Sequence, residues 1–286
     1  MSIEQLEKTP IAPLCSFQLS GTLPKLLIAN TVDDLRTLKK QYKNTFILGK
    51  GSNTLINPNH NYDAVIKLSP KITEITVSDH TLIIPASTSV NKLMTLSQTH
   101  GLSGLEFSAG VPASIGGMVT MNFGCWGNEI AERVQSITVV TPNGELETIS
   151  GNDCAFSYRS SRVLKENWAI LDVTLKLIPD TSEQIKKNIQ TAIQDRLQKQ
   201  PLREATFGSI FKNPHPHFAA ALIEATGLKG HKFDTIQVST KHANFLENCG
   251  HASYQETIAA IQWIQSKVLR RQGIQLIPEV QDMKRL

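Results

Sequence analysis

The stretch from Leu105 to Gly127, LEFSAGVPASIGGMVTMNFGCWG, sets Gly110, Gly116, Gly117, Gly124 and Gly127 among small residues and one proline. A segment of this kind keeps too much backbone freedom to be a long packed helix or a central strand. Glycine lets main-chain N–H groups come close to a ligand, and successive amides in turns make concavities that take phosphate oxygens. The same composition also suits an ordinary glycine-rich connection between strands.

A chain of 286 residues with 40% hydrophobic content can bury a substantial core around such a stretch, in one to three domains. Its net charge of +4 is spread without a long basic run, which fits anionic small ligands better than nucleic acid. Aromatic content is 6% with no stacking-platform motif. The N-terminus, MSIEQLEKTPIAPL, has no apolar leader, and no segment approaches the roughly 18 apolar residues that would span a bilayer. A soluble, cytoplasmic protein is expected. The four cysteines, Cys15, Cys125, Cys154 and Cys249, are far apart and show no zinc spacing, so they read as reduced.

Residues 1–30 read as irregular. Thr31-Val-Asp-Asp34 then has the form of a capping box opening a helix with Leu35 and Leu38 on one face. Strands are expected at Thr45–Leu48, Val65-Ile66, Ile72–Val77 and Leu82–Ile84, and Thr88 or Ser89 caps a helix running to Gly101. A hairpin follows, Val134–Thr141 and Leu146–Ile149 joined by Pro142-Asn143-Gly144, and then a strand at Ala169–Leu177. Pro179-Asp180 marks a domain boundary before a helix with Ile185, Ile189, Ile193 and Leu197 on one face. Further helices lie at 218–226, stopped by Gly227, and through Ile258, Ile261, Ile264 and Val268, ending before Gly273.

Several short pieces bear chemistry. Gly49-Lys50-Gly51-Ser52-Asn53 follows a strand and offers glycine amides and short polar side chains to a phosphate, or forms a tight turn with no ligand. Arg159, in YRSSR, suits a bidentate carboxylate clamp as well as a surface ion pair. Ser209, in GSIFKNP, is an exposed proton donor or a turn cap, and Glu279, behind Pro278, is a carboxyl on constrained backbone. Tyr158 and Trp126 suit either ring stacking or packing. His215 and His217 alternate in a proline-rich loop with no evident third ligand, so no metal site is expected.

Taken in order, these pieces resemble the UDP-N-acetylenolpyruvoylglucosamine reductase family. The resemblance runs from about Thr31 to Val280 through GKGSN, the glycine-rich stretch, YRSSR, GSIFKNP, LIEATGLKG, VSTKHANF and PEV. It implies an α+β fold, with a two-part FAD-binding region of the vanillyl-alcohol oxidase type and a C-terminal α/β substrate-binding domain. The implied ranges are 1–69 and 70–180 for the two FAD-binding parts, 181–275 for the substrate domain, and 276–286 for a segment returning to the active site.

The implied activity is an FAD-dependent oxidoreductase that uses NADPH to reduce enolpyruvyl-UDP-GlcNAc to UDP-N-acetylmuramate in peptidoglycan precursor synthesis. Non-covalent FAD would be held by Gly49, Lys50, Gly51, Ser52, Asn53, Gly110, Val111, Pro112, Ser114, Ile115, Gly116, Gly117, Asn122 and Gly124. Arg159, Ser209 and Glu279 match the catalytic positions, with Ser209 as proton donor; Tyr158, Lys212 and Asn213 match substrate-binding ones. The short connection from Ser161 to Trp168 matches the class without an extra tyrosine loop. The only partner implied is the small-molecule substrate, with no nucleic acid, membrane or obligate protein. Lys50 stands where the family usually has glycine, and Phe123 and Trp126 where it commonly has alanine and tyrosine. A cofactor-poor binding protein on the same scaffold, and another flavin oxidoreductase of this superfold, are the alternative readings.

Overall fold

A computed structural model describes residues 3–283. The chain divides into two compact units. One comprises Lys25–Lys50 and Tyr62–Asp195 with the amino-terminal residues up to Glu7; the other comprises Lys8–Pro24, Gly51–Asn61 and the chain from Arg196 onward.

The first unit is built on two sheets. In one, the strands lie in the order Glu4–Pro10, Thr22–Ala29, Ala64–Leu68 and Thr45–Ile47. Ala64–Leu68 pairs in parallel with both of its neighbours. The expectation of irregular chain over residues 1–30 is therefore corrected: two strands occupy much of it. Thr22–Ala29 has little alternation and carries Pro24, so it lacks a strand signal of its own. Its order comes from pairing with a strand some forty residues downstream. The helix Val32–Gln41 starts where the sequence places it, with Thr31 accepting from the Asp34 amide and Asp34 from the Thr31 amide. Its Leu35 and Leu38 pack with Leu27, Ala64 and Ile66 of the sheet.

The second sheet is antiparallel throughout, in the order Leu146–Ser150, Val134–Val140, Ala169–Lys176, Thr81–Pro85 and Thr76–Ser78. Of the strand expected over Ile72–Val77 only Thr76 and Val77 join it, in the strand Thr76–Ser78; Ile72 packs into the core from a bend. Val90–His100, capped by Ser89 and ended by Gly101 at φ 64°, packs on this sheet together with the short helix Ile115–Thr120. Residues from Ser182–Lys199 complete that core.

The second unit carries a hairpin, Ile236–Val238 with Leu246–Asn248, and the helices Ala219–Ala225 and Tyr254–Gln272. The longer helix has a complete capping box at Ser253 and Glu256, and Gly273 ends it at φ 70°. The last strand, Gln281–Asp282, lies parallel to Thr54–Leu55. Among the described residues no helix is long and apolar enough to cross a membrane.

Candidate active site

In the first unit the glycine-rich stretch is held by main-chain bonds to the chain before Val90–His100. The Ile115 amide donates to the Thr88 carbonyl at 2.9 Å, and the Gly116 amide to that of Ala86 at 2.8 Å. A Cβ on Gly116 would stand 2.8 Å from the Cβ of Ala86, so this glycine is required by protein packing. Ser114 caps Ile115–Thr120 through its hydroxyl. A Cβ on Gly49 would lie 2.7 Å from that same Oγ, which makes the end of the first glycine turn a direct neighbour of the second glycine segment.

The amides of Gly49, Lys50, Gly110, Ala113 and Ser114 find no acceptor among the described residues. Ala113 and Ser114 are buried, where an unpaired N–H is costly. Donors left over in closely approaching turns are the arrangement that takes an anion.

Sequence reasoning missed Lys67, which lies near the end of Ala64–Leu68 beside this turn. The Leu48 amide donates to the carbonyl of Ile66 at 2.8 Å, so Lys67 sits next to the chain that enters Gly49 and Lys50. Burial holds its ammonium below the ordinary lysine range, and the charge of Lys50 lowers it further. Neither lysine forms an ion pair among the described residues. A lone lysine at the carboxyl end of an apolar parallel strand was the available signal, because that end of a sheet is where ligands bind.

Tyr158 and Arg159 are the central pair of a tight turn closed by reciprocal amide bonds between Ser157 and Ser160, both 3.0 Å. Arg159 has φ 53°, an uncommon conformation for a side chain of its size. Its Nη2 donates to the Gly124 carbonyl at 2.9 Å, and its guanidinium lies 5.0 Å from the Tyr158 ring and 5.9 Å from that of Phe123. Asn122 ties this turn to the glycine-rich stretch. Its Nδ2 donates to Glu129 Oε2 at 2.8 Å and to the Ser157 carbonyl at 3.2 Å, and its Oδ1 accepts from the Ala131 amide. The buried Asn122 side chain is thereby committed to the protein. Val111 is half-buried and Pro112 exposed.

In the second unit Ser209 and Glu279 lie on adjoining segments. Gly208 at φ 78° turns the chain into Ser209, and a buried asparagine, Asn244, fixes the two residues after that serine. Its carbonyl accepts from the Ile210 amide, its Oδ1 accepts from the Phe211 amide at 3.0 Å, and its Nδ2 donates to the Phe211 carbonyl at 2.8 Å. The Glu279 amide then donates to the Ile210 carbonyl at 2.7 Å, and the Lys212 amide to that of Ile277 at 2.9 Å. Both Ser209 and Glu279 remain half-buried, open to a small molecule. Asn53 reaches the same place, donating from Nδ2 to the Glu279 carbonyl at 3.3 Å.

The amides of Gly51, Ser52 and Asn53 find no acceptor among the described residues. Gly51 itself is packed so closely on Leu14 and Cys15 that no Cβ fits. Asn213 is exposed and its Oδ1 accepts from the Ala219 amide at 3.0 Å, which binds the loop to the start of Ala219–Ala225. His215 and His217 are exposed in that loop, and no group of three metal-ligating side chains stands together among the described residues.

Residues 200–283 match the family described as the C-terminal domain of UDP-N-acetylenolpyruvoylglucosamine reductase, and residues 27–150 match an FAD-binding domain. The reductase of that name from Bacillus pumilus is 34% identical over 96% of this chain and 93% of its own. The chain belongs to the UDP-N-acetylenolpyruvoylglucosamine reductase family. The Clostridium kluyveri member is 35% identical over 95% of this chain and 90% of its own. The crystal structure of the family member from Thermus caldophilus superposes with a TM-score of 0.84 at 26% identity, covering 99% of both chains. The fold is thus the family's: an α+β chain with an FAD-binding region followed by the family's C-terminal domain.

Proposed function

We propose that this chain is the NADPH-dependent reductase that converts enolpyruvyl-UDP-GlcNAc to UDP-N-acetylmuramate, working in the cytoplasm on a soluble UDP-sugar with no macromolecular partner. It is an FAD-dependent oxidoreductase of peptidoglycan precursor synthesis. The unspent amides of Gly49, Lys50, Gly110, Ala113 and Ser114, with the Lys50 side chain, fit the diphosphate of FAD. Gly116, Gly117, Gly124, Ile115 and Asn122 shape the main chain on which that cofactor would rest. When bound, FAD would supply the hydride-transfer chemistry that links NADPH to the enolpyruvyl group.

The chain's own residues handle the charge and the proton. Hydride addition leaves a carbanion next to the substrate carboxylate, delocalised as an enolate, and this needs positive charge and then a proton. Arg159 presents a planar fork that pairs with a carboxylate bidentately. Glu279 polarises the same end of the substrate, and the Ser209 hydroxyl gives its proton to the carbanion. The strong basicity of the enolate makes so weak an acid sufficient. Lys212 and Asn213 border the UDP-sugar and Tyr158 its ring.

The observation that carries the reading is the 2.7 Å bond from the Glu279 amide to the Ile210 carbonyl, which sets Glu279 beside Ser209 across some seventy residues of chain. Anaerobic spectra test it. The purified yellow protein should bleach with NADPH and regain its flavin spectrum on addition of enolpyruvyl-UDP-GlcNAc. A protein that stays colourless after incubation with FAD would instead be a binding protein on this scaffold.

A further inference from the structure

The role of Glu279 rests on the proposed reductase reaction; the way its backbone is held is a separate matter. Its amide is spent on Ile210, and its carbonyl accepts two bonds, from Asn53 Nδ2 at 3.3 Å and from Gln281 Nε2 at 2.9 Å. Both carbonyl lone pairs are therefore used. Asn53 also grips the chain on the other side of Val280, because the Gln281 amide donates to the Asn53 carbonyl at 2.9 Å. Val280, between these two grips, is buried. One residue later the segment is anchored again: the Tyr254 hydroxyl lies 3.0 and 2.9 Å from the two carboxylate oxygens of Asp282.

We propose that the Asn53 side chain is a positioning residue for Glu279 and contributes little to holding the cofactor. Its Nδ2 already serves the Glu279 carbonyl, whereas the turn amides of Gly51, Ser52 and Asn53 are the donors left for a phosphate. Carboxyl placement is the property at stake, since a shift of about 1 Å in a reacting group can cost on the order of 100-fold in rate. Removing the Nδ2 donor takes one of these two side-chain bonds from the Glu279 carbonyl, leaves the main-chain bonds of the segment in place, and loosens the orientation of the peptide that carries the carboxyl.

Three variants test this: Asn53→Ala, Glu279→Gln and the double variant. FAD affinity is read by quenching of flavin fluorescence, and stopped-flow reoxidation by enolpyruvyl-UDP-GlcNAc is read on fully loaded, pre-reduced protein. Asn53→Ala should bind FAD within about threefold of the parent and reoxidise about 30-fold more slowly, and the double variant should be no slower than Glu279→Gln alone. Losses that multiply in the double variant overturn the proposal. So does a tenfold weaker FAD affinity with parental reoxidation of the loaded protein, which makes Asn53 a cofactor ligand. If Glu279→Gln itself reoxidises like the parent, the role given to Glu279 fails, a result separate from any Asn53 outcome. Should Asn53→Ala not fold, Asn53→Ser, which keeps a short polar side chain, is judged by the same criteria.

Discussion

Arg159 Nη2 donates to the carbonyl oxygen of Gly124 at 2.9 Å. One edge of the guanidinium is thereby fixed on the glycine-rich stretch, with the Tyr158 and Phe123 rings beside its carbon. The planar group is pre-oriented, so binding a carboxylate costs it less side-chain entropy than a free lysine would pay.

Arg159→Lys removes that pre-orientation. An ammonium can replace the charge, yet it cannot bond Gly124 and fork a carboxylate together. Reoxidation of reduced flavin by substrate should slow by about 100-fold, the scale of one lost charge-assisted bidentate pair. FAD affinity should stay near that of the parent. Parental reoxidation in this variant would make Arg159 a structural residue.

For Ser209→Ala the two half-reactions separate. Bleaching by NADPH needs no proton from this hydroxyl and should stay close to the parental rate, while reoxidation by substrate should fall by about a thousandfold, within the usual range for a lost general acid. Equal slowing of both halves would remove Ser209 from the proton step.

Lys67 is expected to make FAD affinity depend on pH. Burial first, and then the charge of Lys50, lowers its pKa below the ordinary lysine value. An anion favours the charged ammonium, so binding should draw a proton onto Lys67 at alkaline pH, and affinity should fall as pH rises through its lowered pKa. Lys67→Met should weaken FAD by about tenfold at neutral pH, the scale of one charged hydrogen bond. Lys67→Arg, permanently charged, should flatten the alkaline fall. Fluorescence titrations from about pH 7 to 10 measure both, and a Lys67→Met affinity equal to the parent's refutes the contribution.

Lys39 affects stability. Its buried ammonium donates to Thr45 Oγ1 at 2.8 Å and to the Asn167 carbonyl at 2.9 Å, and burial pulls its pKa down to about 8. The unfolded chain holds this proton up to about pH 10.4, so between about pH 8 and that value it binds more protons than the folded one. The sign is then fixed: the contribution of Lys39 to stability rises with pH across that window, by about 3 kcal/mol in all. Lys39→Met lacks this rise. Urea midpoints of both proteins at about pH 7, 8.5 and 10 should show the parent gaining on the variant, and a constant difference would be the contrary result.

Where an element depends on its own local bonds, the sequence by itself determined it. Thr31 with Asp34 and Ser89 before Gly101 are caps whose donors and acceptors lie within a turn of each other, Gly273 stops the long helix, and those helices lie where the residues put them. The ordered motifs, too, carried the family in one dimension. Tertiary structure decided the rest, because it turned on partners distant in sequence. Thr22–Ala29 became a strand by pairing with Ala64–Leu68, and Lys67 acquired its setting from a turn that a different strand feeds. The side chains of Asn53, Asn122 and Asn213 look alike in sequence as polar groups offered to ligands. In the fold they are committed to Glu279, to Glu129 and Ser157, and to Ala219. An amide side chain bonds whichever polar group the surrounding chain brings within about 3 Å, and only the packed structure selects that group.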